Sequence, residues 1–259
     1  MTERVTLITG ASNGIGAELA RIFAASKHRV VLVSRRAEAL TGVAEGIVAA
    51  GGIEPIVLAC DLSRADAGDV IEAALKARGV EVEYVVNNAG FGMFGKAIAM
   101  DRAEQLGMID LNVRTLTDLS LRFSDSLIRH RGGILNVGSI ASFLPGPGMA
   151  VYYASKAYVL SFTEALHREL GAQGVRVCAL CPGPVTSGFQ ARAGFKPGVD
   201  SAILAVSSAD VALAGYRGLM ANRRVVMPGV GNRTVPILLR LVPRGLVLAA
   251  VGRLQLRRV

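Results

Sequence analysis

The sequence predicts an α/β fold, a doubly wound parallel sheet with helices on both faces. Three observations carry this prediction. Runs rich in valine, isoleucine and leucine are apolar throughout and do not alternate with polar residues, helical patterns separate them, and a glycine-rich turn joins the first run to the first helix.

The elements follow in order. "RVTLIT" (4–9) reads as a buried strand, and a helix runs from about Gly14 to Ser26. "RVVLVS" (29–34) is a second strand and "AEALTGVAEGIVAA" a helix. "EPIVLAC" (54–60) is a third strand, followed by a helix to about Arg78, and "VEYVVNN" (82–88) is a fourth. "GGILNVGS" (132–139) and "VRVCAL" (175–180) continue the strand series, while long helical patterns fill 101–129 and 151–171. No linker, repeat or change of composition divides 1–210. We therefore expect one α/β domain over 1–230 and a separate basic, amphipathic tail over 231–259.

Charge separates the same two parts. Residues 211–259 hold nine arginines and no acidic residue, so the formal +9 belongs to them and the body is neutral. A neutral body argues against a general nucleic-acid-binding surface. The longest uncharged run, 132–155, is broken by two prolines, five glycines and Asn136, and is no membrane span. Glu3 and Arg4 stand where a signal peptide would need an apolar core, so export by that route is not expected. Cys60, Cys178 and Cys181 form an odd set without a disulfide framework, which fits a reducing cytoplasm. Cys178 and Cys181 make a C-x-x-C inside an apolar strand-like run, where buried packing is the better reading. No metal site is expected. His28, His130 and His167 lie outside every motif and are assigned surface or packing roles.

"TGASNGIG" (9–16) follows the first strand and opens the first helix. Gly10 permits a tight turn, Gly14 lets the backbone approach a phosphate, and Gly16 lets the helix pack closely on the strand; Ser12, Asn13 and Ile15 share the turn. At the end of the second strand stand Ser34, Arg35 and Arg36. An acidic residue there would bond a ribose hydroxyl, whereas arginine offers a fork suited to a 2′-phosphate. NADPH/NADP+ is therefore favoured over NADH.

Tyr152 and Tyr153 stand four and three residues ahead of Lys156, and either spacing puts a phenol and an ammonium on one helix face. A tyrosine of pKa about 10 needs roughly three units of depression to work near neutrality, or ~4 kcal/mol of preference for the phenolate. A neighbouring ammonium is the natural source.

With "TGASNGIG", "CDL" (60–62), "NNAG" (87–90), Asn112, Ser139, Tyr152, Lys156 and "PGPVT" (182–186) in this order, the chain resembles a short-chain dehydrogenase/reductase over nearly all of 1–190. The resemblance implies a Rossmann-like domain with about seven parallel strands and a nicotinamide cofactor across the carboxyl edge of the sheet. It implies Asp61 and Leu62 beside the adenine, with Asn88, Ala89 and Gly90 lining the cofactor channel. Pro182, Gly183, Val185 and Thr186 would belong to the segment that holds the carboxamide of the nicotinamide. The family's Tyr-x-x-x-Lys selects Tyr152 as acid/base. Ser139 would bond the substrate carbonyl, Lys156 would also bind the nicotinamide ribose, and Asn112 would hold a water behind Lys156. Tyr153 is the departure, since that position is often small in the family.

Met93, Phe94, Phe143, Leu144, Met149, Phe189 and Phe195 suit an apolar carbonyl or alcohol substrate, a greasy ketone or long acyl chain, and equally suit ordinary core and lid packing. These segments and "NRRVVMPG" look closest to the ketoacyl and hydroxysteroid reductase branch. Carbonyl reduction in the cytoplasm by a homodimer or homotetramer is the leading expectation. The rival is a sensor or scaffold that binds the nucleotide without turnover; such proteins usually lose the tyrosine or the lysine, and both are present here. The tail admits peripheral contact with an anionic membrane, or packing within the protein or across an oligomer interface, and the second reading is preferred.

Overall fold

The computed structural model describes residues 2–185 and 206–256. In chain order the elements are β1 (Glu3–Thr9), α1 (Gly14–Ala25), β2 (Arg29–Ser34), α2 (Ala37–Ala49), β3 (Ile56–Ala59), α3 (Ala67–Lys76) and β4 (Val80–Asn87). There follow α4 (Arg102–Ile109), a π-helical turn (Asp110–Thr115), α5 (Leu116–Arg122), α6 (Ser124–His130) and β5 (Gly133–Val137). A 3-10 turn (Ile140–Phe143) leads to α7 (Ala150–Gly171) and β6 (Arg176–Leu180). The chain ends with α8 (Ser208–Met220), β7 (Val225–Val226), α9 (Val230–Leu241) and α10 (Arg244–Leu256). Among the described residues the strands form one seven-stranded sheet in the order β3-β2-β1-β4-β5-β6-β7, with every pairing parallel.

The unbroken apolar runs are explained by burial on both faces. Neighbours such as Leu7 and Ile8 point in opposite directions, and neither is exposed. On one face Ile8, Leu32, Val86, Leu135 and Leu180 pack against α1, α2 and α8 through Leu19, Phe23, Leu40 and Leu219. On the other, Leu7, Val31, Val85, Ile134 and Val177 meet Ile71, Leu119, Leu127 and Leu166. Each such leucine contributes about 1.5–3 kcal/mol by leaving water. The same period of two parts the C-x-x-C pair: Cys178 joins Leu180 in one cluster, and Cys181 joins Ala179 in another. His28 stacks edge-on against Phe23 and Tyr84, His130 pairs with Glu81, and His167 bonds the Val177 carbonyl.

The sequence reading needs revising in three places. The helix expected over 101–129 breaks into α4, the π-helical turn, α5 and α6, because Asn112 and Thr115 are pulled inward. Thr115 Oγ1 donates to the Leu62 carbonyl at 2.6 Å, which fixes the widened turn to the chain after β3. Helix α8 and strand β7 lie where no element was assigned. The tail does fold into two helices on either side of Pro243, but α10 is not amphipathic: Val247 is buried while Leu246, Leu248 and Leu256 are exposed.

A buried polar chain fixes two helices to the centre of the sheet. Asn87 Nδ2 donates to Asn136 Oδ1 (2.9 Å) and Ser120 Oγ (3.0 Å), and Asn136 Nδ2 donates to Thr163 Oγ1 (3.0 Å). β4, β5, α5 and α7 are thus tied side chain to side chain. Thr163→Val keeps the volume and strands the buried Asn136 amide, which costs about 1–3 kcal/mol. The expected result is a lower urea midpoint at an unchanged m-value.

Candidate active site

Order reverses between β1 and β4, the neighbours from which the sheet is wound both ways, and the crevice at their carboxyl ends is where such sheets bind ligands. Gly10 and Gly14 have φ of +66° and +54°, a region that disfavours any side chain. A Cβ on Gly16 would come 2.3 Å from the Gly10 carbonyl oxygen and 2.4 Å from Asn88 Nδ2. The turn is therefore closed on itself and on Asn88. Asn88 Nδ2 donates to the carbonyls of Thr9 (3.0 Å) and Gly10 (3.2 Å), while Thr9 Oγ1 accepts from the amides of Asn88 and Ala89, both at 3.0 Å. Asn88 holds the turn from behind; its amide is not turned into the channel.

Asn13 caps α1 without a side-chain hydrogen bond, and the first turn holds no acidic residue, so its N–H donors and positive dipole end suit an anion. Arg36 Nη2 donates to Ser12 Oγ at 3.2 Å, so the arginine reaches back to the glycine turn. The Arg36 amide donates to Ser34 Oγ at 3.3 Å. Asp61 spends its carboxylate on the amide and hydroxyl of Ser63, which pull it below the usual carboxylate range, with the Arg35 charge assisting. Leu62 buries its side chain in the core, which leaves only its backbone for a ligand. Turn, helix terminus and paired arginines fit a dinucleotide with an extra phosphate.

Across the crevice, Tyr152 and Lys156 lie on the buried face of α7. The Tyr152 hydroxyl is hydrogen-bonded to Ser139, and Lys156 Nζ lies 5.9 Å from the centre of the Tyr152 ring. Ser139 caps the 3-10 turn after β5, its Oγ accepting from the Ala141 amide at 3.1 Å. Lys156 Nζ donates to the Val137 carbonyl at 2.8 Å. Asn112 Oδ1 accepts from the Phe91 amide (3.1 Å), and its Nδ2 donates to the Phe91 carbonyl (2.9 Å) and Ser155 Oγ (3.1 Å). Gly90 passes so close that a Cβ there would lie 2.9 Å from Asn112 Oδ1 and 3.4 Å from Lys156 Nζ.

The electrostatics differ from the expectation. Burial pushes the Tyr152 hydroxyl up to about 12, the Ser139 hydrogen bond opposing it, and pulls Lys156 down to about 8. The ammonium is directed at the Val137 carbonyl, and among the chain's own groups burial outweighs every charged neighbour in setting the direction of the phenol's shift.

The strand-end segment 182–185 folds beside this pair. The Pro182 carbonyl accepts from the Ile140 amide, Val185 bridges to Val206, and a Cβ on Gly183 would collide with Asn232 of α9. Thr186, Phe189 and Phe195 lie outside the described residues. Several neighbours of the site had no signal in the sequence: Ser155, Asn232 and Gln255. Gln255 Nε2, on α10, donates to the Tyr153 hydroxyl at 2.6 Å, and the Tyr153 ring fills the space a side chain at Gly146 would need.

The buried lysine has a pH signature. Between pH 8 and 10.5 it is neutral in the folded chain and charged in the unfolded one. The unfolded state binds more protons there, so this group's contribution to stability rises with pH across that window. Thermal melts should therefore show the difference between wild type and Lys156→Met shifting in favour of wild type from pH 8 upward.

Comparison with known proteins agrees with this geometry. Residues 4–196 match the family model described as short chain dehydrogenase. A sulfoacetaldehyde reductase of Chromohalobacter salexigens is 38% identical over 73% of this chain and 75% of its own. A 3-oxoacyl-[acyl-carrier-protein] reductase of Synechocystis sp. is 32% identical over 71% and 74%. The solved short-chain dehydrogenase of Sphingobium yanoikuyae, in complex with NADPH, superposes with a TM-score of 0.82 at 29% identity over 94% of each chain. The 3-ketoacyl-(acyl-carrier-protein) reductase of Brucella melitensis, complexed with NADH, gives 0.78 at 29% identity over 90% of this chain and 99% of its own. The glycine turn, the Ser139–Tyr152–Lys156 cluster and these likenesses agree, and the chain belongs to the short-chain dehydrogenase family of oxidoreductases.

Proposed function

We propose that the protein is an NADPH-dependent reductase of a ketone or ketoacyl carbonyl on an apolar substrate, also able to run the reverse alcohol oxidation. The observation that carries this reading is the Tyr152 hydroxyl, buried, hydrogen-bonded to Ser139 and one helical turn from Lys156. A non-catalytic nucleotide sensor has no need of that cluster. The cofactor, when bound, supplies the hydride.

The chain's own residues do the rest. Ser139 positions and polarises the carbonyl oxygen by a hydrogen bond, and Tyr152 delivers the proton to that oxygen. A phenol held near pKa 12 is fully protonated at neutral pH, which is the state that reduction starts from. Lys156 binds the nicotinamide ribose and stabilises the phenolate as it forms. Asn112 keeps the loop after β4 against α7, and through Gly90 its Oδ1 stays close to Lys156. Arg36, with Arg35, receives the 2′-phosphate beside Ser12, which is why NADPH is preferred over NADH. Ala89, Gly90, Asp61 and the Leu62 backbone border the nucleotide, and Pro182, Gly183, Val185 and Thr186 hold its carboxamide end.

Apolarity of the substrate is supported by what surrounds Tyr152: Met108 and Met149, with Phe91, Met93 and Phe94 packed against them. The ketoacyl and sulfoacetaldehyde reductases among the relatives support a carbonyl as the reacting group. We assign the activity to the cytoplasm and to a homodimer or homotetramer, in line with the free cysteines and the family.

Two measurements test this. With a panel of apolar ketones, Tyr152→Phe should lower kcat by ~10²- to 10⁴-fold while NADPH still binds; undiminished reduction would remove Tyr152 from the chemistry. Arg36→Glu should raise KM for NADPH by ~10-fold or more and leave KM for NADH nearly unchanged. An equal effect on both cofactors would assign the arginine to packing.

A further inference from the structure

Helices α9 and α10 are held to the body by a narrow stripe. Val247 is buried, Gly252 lies against Pro147, and Gln255 bonds Tyr153. From α9, Asn232 is buried against Gly183. Packing among the described residues accounts for these contacts and leaves the junction of the two helices, about Pro243, exposed. Leu238, Leu241, Val242 and Leu246 are all exposed around this junction, with Leu241 at 78% and Leu246 at 62%, and Leu248 and Leu256 are exposed further along α10. Arg244 stands among them and Arg253 lies further along α10, both exposed. Nowhere else in the described chain do exposed large apolar residues gather so densely.

We infer that the exposed junction of α9 and α10, about Pro243, docks on an anionic bilayer surface. Charge decides between the two coverings that could hide these leucines. A second copy meeting this face about a two-fold axis would set one acid-free, arginine-bearing segment against another. Acidic headgroups neutralise the same arginines while the leucines enter the acyl boundary. With 12 and 13 residues, α9 and α10 are too short to cross a bilayer, and no helix among the described residues is long and apolar enough to do so. They would lie in its plane. The neutral body, with equal numbers of acidic and basic residues over 1–210, confines the attraction to this end.

Co-sedimentation of the full-length protein tests the inference, using vesicles of phosphatidylcholine alone and of phosphatidylcholine with phosphatidylglycerol. Binding to the anionic vesicles should be ~10-fold or more the stronger, and should weaken at high salt. Leu241→Asp and Leu246→Asp should each abolish most of it. Leu106→Asp, the same change at a residue 53% exposed on α4, should not. Equal binding to both vesicles, no binding, or equal loss in Leu106→Asp would overturn the proposal. So would a fall in oligomeric mass by light scattering in the tail variants without lipid binding, which would give the face to a second copy. Sedimentation involves no turnover, so its failure would leave the reductase reading standing, and failure of ketone reduction would not alter the sedimentation result.

Discussion

The site is assembled on a clamp between the ends of β1 and β4. These strands are adjacent and parallel, yet the chain leaves them toward opposite faces of the sheet, which opens the crevice. Thr9 Oγ1 takes the amides of Asn88 and Ala89, and the Asn88 side chain returns to the carbonyls of Thr9 and Gly10. From this clamp a run of contacts crosses the crevice. Phe91 is gripped by Asn112, Asn112 bonds Ser155 Oγ, and Ser155 Oγ bonds the Tyr152 carbonyl. Each bond is worth about 1 kcal/mol net. Their combined effect is geometric, since the glycine turn and Tyr152 are positioned by one connected network.

Burial then sets the charges. Tyr152 and Lys156 are nearly out of solvent, and desolvation moves their pKa values apart in opposite directions, each toward the neutral form. The lysine keeps a hydrogen-bonded place against the Val137 carbonyl, and Gly90 leaves it open toward Asn112. The tail reaches the same region from outside, through Gln255 on Tyr153 and Asn232 on Gly183. Tyr153 is thus neither idle nor interchangeable with Tyr152. It is the contact through which the last helix touches the loop beside the site.

The strands and the glycine turn were legible because each depends on local spacing, whereas spacing left Tyr152 and Tyr153 both open and only the family resemblance selected Tyr152. Five of the seven strand positions follow from unbroken apolar runs that a two-sided core demands, and Gly10, Gly14 and Gly16 follow from backbone conformations and close approaches that exclude a side chain. β6 was legible too, and with it the packing role of the C-x-x-C pair, because a period of two sends its thiols to opposite faces. The two-residue β7 was not, since so short a strand exists only where β6 offers it an edge.

What the sequence by itself determined was the order of strands through β6 and the glycine turn, because periodicity and turn chemistry are properties of neighbouring residues. Tertiary structure alone decided the rest. The resemblance placed Asn88 along the cofactor channel and Leu62 beside the adenine, but that the Asn88 amide closes the turn and the Leu62 side chain packs in the core is seen only in three dimensions. The helix over 101–129 widens at Asn112 because Phe91, Ser155 and Leu62, all remote in sequence, supply the bonds that draw that turn inward. The pKa of Tyr152 depends on desolvation by groups from several elements, and no spacing along the chain encodes how much water they exclude.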